Sequence, residues 1–178
     1  MSSSLSSPEG STWFGASVVR AKEGGAQVVF HGTAVQGPTF DTPASQLPFG
    51  AFRVFDLEQR GAVTESSDAR VGFWFTTDQN RARAAAMDAK EVGHGDSAYV
   101  YQVFLRILRP YRVSDVRELD PETVAVLAQS ARDHGYDGLV FEQGEGQGID
   151  FLVFDPSQIK SANANCGQFD PHDPDICA

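Results

Sequence analysis

Five short apolar runs constrain the fold of this 178-residue chain more than any other feature. They occupy residues 27–31, 71–75, 99–108, 138–141 and 149–154. Such runs, rich in β-branched and aromatic side chains and bounded by glycine or proline, are typical of β-strands. The longest run, at 99–108, is expected to be the central strand. A glycine-rich segment, residues 144–148, joins the last two runs and predicts an antiparallel hairpin.

Two segments have a helical pattern instead. Asp78 can cap a helix whose alanines recur on one face, at Ala82, Ala85, Ala86 and Ala89. Asp120 precedes Pro121, and this pair is a strong helix start because proline suits the first helical position. Together the patterns predict an α+β fold with more strand than helix.

The chain length suits one compact domain, since domains run from roughly 50 to 250 residues. Residues 1–11 are mostly serine, proline, glycine and glutamate, which cannot bury enough surface to offset chain entropy. We therefore predict a disordered tail over residues 1–12 and a single domain over residues 13–178. Within that domain, residues 33–70 form a long irregular stretch of the kind that covers a site or is mobile.

Charge and cysteine content exclude several classes of protein. The chain has 14 lysines and arginines against 24 aspartates and glutamates, and this net charge of −10 disfavours nonspecific nucleic-acid binding. Cys166 and Cys177 lack the spacing of a zinc site, and no other metal site is predicted. The sequence has no apolar run long enough to span a membrane and no leader pattern, so we expect a soluble cytoplasmic protein.

Three side chains depart from what packing alone requires. His31 is a titratable ring at the end of an apolar run, beside Gly32, where a ligand can approach the backbone. Trp74 stands between two phenylalanines and points to the opposite face from them. Asp150 interrupts an apolar run, where an unpartnered carboxylate is costly to bury. Each also has a structural interpretation: a packed histidine, a core tryptophan and an aspartate at an exposed strand start.

Several ordered motifs connect these residues to a known family. They are FHGT at 30–33, GFWFT at 72–76, YQVFL at 101–105, YDGLV at 136–140, VFDPSQIKSA at 153–162 and the tail at 167–176. Their order resembles the His-Tyr-Glu pattern of ADP-ribosyltransferases. More narrowly, the chain from residue 28 onward resembles the ADP-ribosyltransferase domains of phage polyvalent proteins and bacterial effectors. That resemblance implies two packed, mostly antiparallel sheets with a few flanking helices.

The resemblance also implies a role in NAD⁺ chemistry for each of the three residues. Asp150 matches the catalytic glutamate, which holds the 2′-hydroxyl of the nicotinamide ribose and stabilises the positive charge that develops on that sugar. His31 would bind the ribose hydroxyls of the adenosine half, and the backbone of Gly32 would bind the carboxamide. Trp74 takes the place of the family's aromatic residue and would stack on the nicotinamide ring.

Further residues are expected around NAD⁺. Thr33, Phe75 and Gln147 are predicted to line its site. Asp150 is one methylene shorter than the usual glutamate, so Glu145 and Gln147 in the glycine-rich turn are alternatives for its role.

Two departures from the family pattern affect specificity. A second aromatic residue is missing from the helix, because its position falls among the alanines at 84–86. Phe40, Phe52 and Phe55 could supply that wall or belong to the core. Gly148 stands where arginine-directed members carry a second glutamate, so arginine is a disfavoured acceptor.

The sequence as a whole predicts a mono-ADP-ribosyltransferase of a phage, or a bacterial effector or toxin delivered into a target cell's cytoplasm. NAD⁺ would be the co-substrate and a protein the acceptor. Three alternatives stay open: an NAD⁺ glycohydrolase, a noncatalytic binding module on the same fold, and a small ribonuclease that uses His31 or His94. The acidic composition argues against the ribonuclease.

Overall fold

The computed structural model describes residues 5, 7–39, 42–43, 45–64, 66–114, 119–144, 146 and 148–178. Its helices are α1 (Pro8–Phe14), α2 (Gln79–Glu91) and α3 (Pro121–Asp133). Its strands are β1 (Val29–Val35), β2 (Phe73–Thr76), β3 (Ser97–Leu105), β4 (Pro110–Val113), β5 (Gly138–Glu142), β6 (Ile149–Val153) and β7 (Ile159–Ser161). No helix in these residues is long and apolar enough to cross a membrane.

The strands form one curled mixed sheet in the order β4-β5-β6-β2-β1-β3-β7. β4 and β5 are parallel, and the other neighbouring pairs are antiparallel. The predicted arrangement of two packed sheets is not borne out. β1 pairs with β3 along its length and with β2 at Phe30 opposite Thr76, so one ladder connects both halves of the sheet.

The predictions of the hairpin and the helix starts are confirmed, unlike the prediction of two packed sheets. β5 and β6 form the expected antiparallel hairpin. Asp78 caps α2 by accepting from the backbone of Asn80 and Arg81, and Asp120 caps α3 with Pro121 in the first turn. The longest strand, β3, is not central, because only β7 lies beyond it in the sheet.

The N-terminal helix crosses the predicted domain boundary. Residues 8–12, assigned to a disordered tail, belong to α1, which the side chain of Ser7 caps. Trp13 and Phe14 of this helix are buried in a cluster with Phe104 and Phe169. Residues 1–4 and 6 of the predicted tail lie outside the described residues.

The two faces of the sheet pack into separate cores. The side chains of Trp74, Leu139, Phe141 and Leu152 lie on what we name the helix face, where they pack with α3. α2 covers the same face at Gly32, where a Cβ would overlap the carbonyl oxygen of Ala82. On the opposite face, apolar side chains pack against segments 47–55 and 176–177; the buried aromatic members are Phe55, Phe73, Phe75, Tyr101 and Phe151.

Candidate active site

Asp150 is a buried carboxylate whose two oxygens have different surroundings. Its Oδ2 accepts hydrogen bonds from Nη1 of Arg81 and, at 2.8 Å, from Nε2 of Gln143. Its Oδ1 is buried and has no hydrogen-bond partner within the described residues. A buried carboxylate oxygen without a donor is costly, so this atom is suited to a hydroxyl or amide supplied by a ligand.

The sheet fixes where this carboxylate points. Asp150 lies opposite Thr76 of β2 on one side and Phe141 of β5 on the other, so all three side chains share the helix face. Only 9% of Asp150 is exposed, whereas 37% of the preceding Ile149 is exposed. The structural alternative from the sequence, an aspartate at an exposed strand start, therefore does not describe this residue.

His31 lies on the opposite face of the sheet. Its Nδ1 is 2.8 Å from the backbone oxygen of Trp74, and because a carbonyl only accepts, Nδ1 carries the hydrogen. The rings of Phe55 and Phe75 surround it, with centroids 5.1 and 5.5 Å away. Burial lowers the pKa of His31, so the ring is neutral and its Nε2 is an acceptor.

The indole of Trp74 lies on the helix face with Asp150, whereas the ring of His31 contacts the Trp74 backbone oxygen from the opposite face. The indole centroid is 5.0 Å from that of Phe141, the cross-strand neighbour of Asp150. Its Nε1 donates to the backbone oxygen of Asp68 at 3.1 Å, and the side chain is half-buried. The structure therefore places Trp74 and Asp150 on one face, and joins them to His31 through the Trp74 carbonyl.

The remaining predicted contact residues differ in their surroundings. The backbone of α2 packs on Gly32 and leaves no room there for a Cβ. Thr33 is buried in β1, and Phe75 belongs to the apolar core beside His31. Glu145 and Gln147 lie outside the described residues.

The phenylalanines expected to supply a second aromatic wall lie, where they are described, on the face of the sheet that carries His31. Phe55 is in the core, and Phe52 stacks on Tyr101 at 4.6 Å, on the face that carries His31. Phe40 falls outside the described residues. On α2, Ala84 and Ala85 are exposed.

Gly148 has a conformation that explains why no acid stands there. Its φ is +82°, a region that disfavours residues with a Cβ. A Cβ at this position would lie 3.0 Å from Oγ1 of Thr77 and 3.4 Å from Nη2 of Arg81. A second glutamate two residues before Asp150 would be strained by the backbone and crowded by these neighbours.

The sequence reasoning missed Arg81 and Gln143. One signal was present: Arg81 lies in the first turn of α2, which contains no acidic residue, although a cation is unfavourable at a helix N-terminus. Gln143 follows β5 directly and gave no signal, because its neighbour Asp150 reaches it only through the hairpin pairing.

Cavity shape does not identify this site. A cavity of about 590 Å³ lies between α1 and the C-terminal segment, and another of about 340 Å³ lies beside Arg132 and Phe154. Neither is lined by Asp150, His31 or Trp74. Across the described parts of the chain, no group of three or more His, Cys, Asp or Glu side chains could hold a metal ion. The candidate site rests on its polar chemistry instead.

Comparison with known proteins gave one match. Residues 21–169 match the model of a family described as ADP-ribosyltransferase in polyvalent proteins. No curated protein and no solved structure matches the chain.

Proposed function

The chain belongs to the family of ADP-ribosyltransferase domains in polyvalent proteins, and we propose that it cleaves NAD⁺ between nicotinamide and ribose. The bond from ribose C1′ to the ring nitrogen breaks, and its electron pair leaves with neutral nicotinamide. An acceptor then attacks C1′ and loses a proton, so that ADP-ribose is transferred. The observation that carries this proposal is the buried, partnerless Oδ1 of Asp150.

Asp150 is the proposed catalytic residue. Sugar transfer passes through an electron-poor, oxocarbenium-like ribose, and a nearby carboxylate stabilises the positive charge. The Oδ1 atom has the chemistry to accept a hydrogen bond from the 2′-hydroxyl of that ribose. Its burial strengthens both interactions because little water competes.

His31 and Gly32 are proposed to hold the substrate. A neutral imidazole with Nδ1 bonded to the Trp74 carbonyl leaves Nε2 to accept from a ribose hydroxyl of the adenosine half. The backbone of Gly32 is proposed to bind the nicotinamide carboxamide. Thr33 continues the same strand and is proposed to contact NAD⁺.

Aromatic side chains are proposed to position the leaving group. Trp74 would use the exposed part of its half-buried indole to stack on nicotinamide. Phe75 supports His31 from the core. Gln147, in the turn before Asp150, is proposed as a further contact.

We propose that the acceptor is a protein side chain other than arginine. Gly148 leaves no acid to activate a guanidinium, and the cation of Arg81 lies beside that position. The proposed setting is a phage protein or a bacterial effector or toxin that acts in the cytoplasm. Because Gly148 supplies no acid two residues before Asp150, NAD⁺ hydrolysis by water is the second candidate function.

The test uses NAD⁺ labelled on the adenosine half, with bacterial and eukaryotic lysates and with buffer alone. Wild type, Asp150→Asn and a control at the exposed Asp88 of α2, Asp88→Asn, are compared for nicotinamide release and label transfer. We expect release that falls about a hundredfold or more in Asp150→Asn and is unchanged in Asp88→Asn.

The pattern of products separates the candidates. Label transferred to a lysate protein supports the transferase, and release without transfer supports the glycohydrolase. NAD⁺ binding by calorimetry without release from wild type would leave only the noncatalytic module.

A further inference from the structure

We propose that Arg81 and Gln143 are positioning residues that hold Oδ2 of Asp150 and thereby present Oδ1 to the substrate. This inference rests on the proposed function. Both side chains contact the same oxygen, while the other oxygen has no partner in the described residues. Such an asymmetric arrangement fixes the rotation of the carboxylate.

The position of Arg81 is not explained by helix stability. It occupies the first turn of α2, where the helix dipole disfavours a cation. Its backbone N–H is held by the capping carboxylate of Asp78, which anchors the start of the side chain. The ion pair with Asp150 connects α2 to β6, so Arg81 links the start of the helix to the carboxylate.

Gln143 fixes the carboxylate from a second direction. It follows β5, and its Nε2 reaches Oδ2 of Asp150 at 2.8 Å from the neighbouring strand of the hairpin. A neutral amide donor adds no charge to the site. The donors therefore arrive from two elements, the start of α2 and the end of β5.

Holding Oδ2 in place has a large effect because Asp150 is a short side chain. Asp150 has rotations about Cα–Cβ and Cβ–Cγ, one fewer than glutamate, so its reach is shorter and its remaining freedom is rotation about these bonds. Two donors on Oδ2 remove that freedom before substrate binds. Pre-organised groups of this kind act on the transition state more than on substrate affinity.

The experiment measures kcat and KM for nicotinamide release in Arg81→Met, Arg81→Lys and Gln143→Ala. Arg83→Met is the matched control, because Arg83 is an exposed arginine on the same helix. The Arg81→Met change is also placed in the Asp150→Asn background. Circular dichroism and thermal unfolding of every variant identify those that fail to fold.

We expect kcat to fall about tenfold to a hundredfold in Arg81→Met, with KM for NAD⁺ within about threefold of wild type. Arg81→Lys should recover part of the loss, and Gln143→Ala should lose less than Arg81→Met. In the Asp150→Asn background, Arg81→Met should have no further effect, because the group it positions is already changed.

Several outcomes would overturn the inference. They are an Arg81→Met enzyme as active as Arg83→Met, an equal loss in the Asp150→Asn background, and a rise in kcat, which would mean that the ion pair restrains the acid. If Arg81→Met does not fold, Arg81→Lys and Gln143→Ala decide, and unchanged kcat in both contradicts the proposal. A wild type that releases no nicotinamide contradicts the proposed function itself, and the inference with it.

Discussion

Asp150 is buried and His31 is half-buried, and their surroundings differ. Asp150 has Arg81 as a counter-charge, so its burial is compensated by an ion pair and a hydrogen bond. His31 has no carboxylate among its ring contacts; its described neighbours are aromatic rings and the Trp74 carbonyl. A histidine surrounded in this way is stable when neutral, which suits an acceptor of sugar hydroxyls.

The pKa of His31 gives a prediction at this scale. Burial lowers the pKa in the folded protein below that of the unfolded chain, which is about 6.5. Below about pH 6.5, His31 binds a proton more readily in the unfolded chain than in the folded protein. The contribution of His31 to stability is therefore full above about pH 6.5 and is lost as pH falls through the folded pKa. Urea unfolding at pH 7.5 and 5.5 should show a larger loss in wild type than in His31→Gln.

His94 provides the control for this measurement. It is an exposed histidine outside the aromatic surroundings of His31, so His31→Gln should change the pH dependence more than His94→Gln does. Equal pH dependence in wild type and His31→Gln would contradict the prediction.

At the scale of elements, α2 contributes to the site through two of its parts. Its first turn carries Arg81 to Asp150, and its middle packs on β1 at Gly32. The buried alanines of α2, Ala82, Ala86 and Ala89, allow the helix backbone to approach the strand closely. The fit between helix and strand therefore sets the distance between Arg81 and the sheet.

Gly32→Ala tests this packing. The added Cβ would overlap the carbonyl oxygen of Ala82, so the helix and strand must separate. We expect the free energy of unfolding to fall by about 1–3 kcal/mol, as for other overpacked interiors. Gly25→Ala is the control, because a Cβ there would meet nothing within 4 Å. Equal urea midpoints for the two variants would show that the contact is not restrictive.

In the molecule as a whole, the C-terminal segment packs on the face of the sheet that carries His31. Ile176 donates its backbone N–H to Arg53 and accepts from Ser161, and Arg53 forms an ion pair with Asp175. This pairing holds the segment that carries Phe55 against His31. Residues far apart in the chain thus support the site together.

Lys160 is the buried residue that anchors this segment. It is 0% exposed, and its Nζ donates to the backbone oxygens of Asp173 and Asp175, both at 2.8 Å. Lys160→Met would leave both carbonyls without this donor, so we expect a loss of about 1–3 kcal/mol in the free energy of unfolding. Faster proteolysis of the C-terminal segment should accompany it.

The exposed Lys90 of α2 provides the comparison for Lys160. Lys90→Met removes the same charge without a buried hydrogen bond, so its stability should remain near that of wild type. A Lys160→Met protein as stable as Lys90→Met would contradict the anchoring role.

Short-range sequence patterns are sufficient to identify the local elements and the family. Capping at Asp78 and Asp120, and the glycine-rich turn before β6, depend on residues a few positions apart, so pattern reasoning found them. The ordered motifs around His31, Trp74 and Asp150 likewise indicated the ADP-ribosyltransferase family, and the family match confirms that identification. The end of the tail was misplaced because α1 is held by Phe104 and Phe169, far along the chain.

How these elements meet depends on contacts that appear only in the folded chain. One pair of residues, Phe30 and Thr76, joins the two halves into one sheet, and no local pattern encodes such a contact. Arg81 and Gln143 reach Asp150 across 69 and 7 positions of the chain, and only helix packing and hairpin register bring them to one oxygen. Local structure follows from neighbouring residues, whereas the surroundings of a buried carboxylate depend on contacts between distant ones.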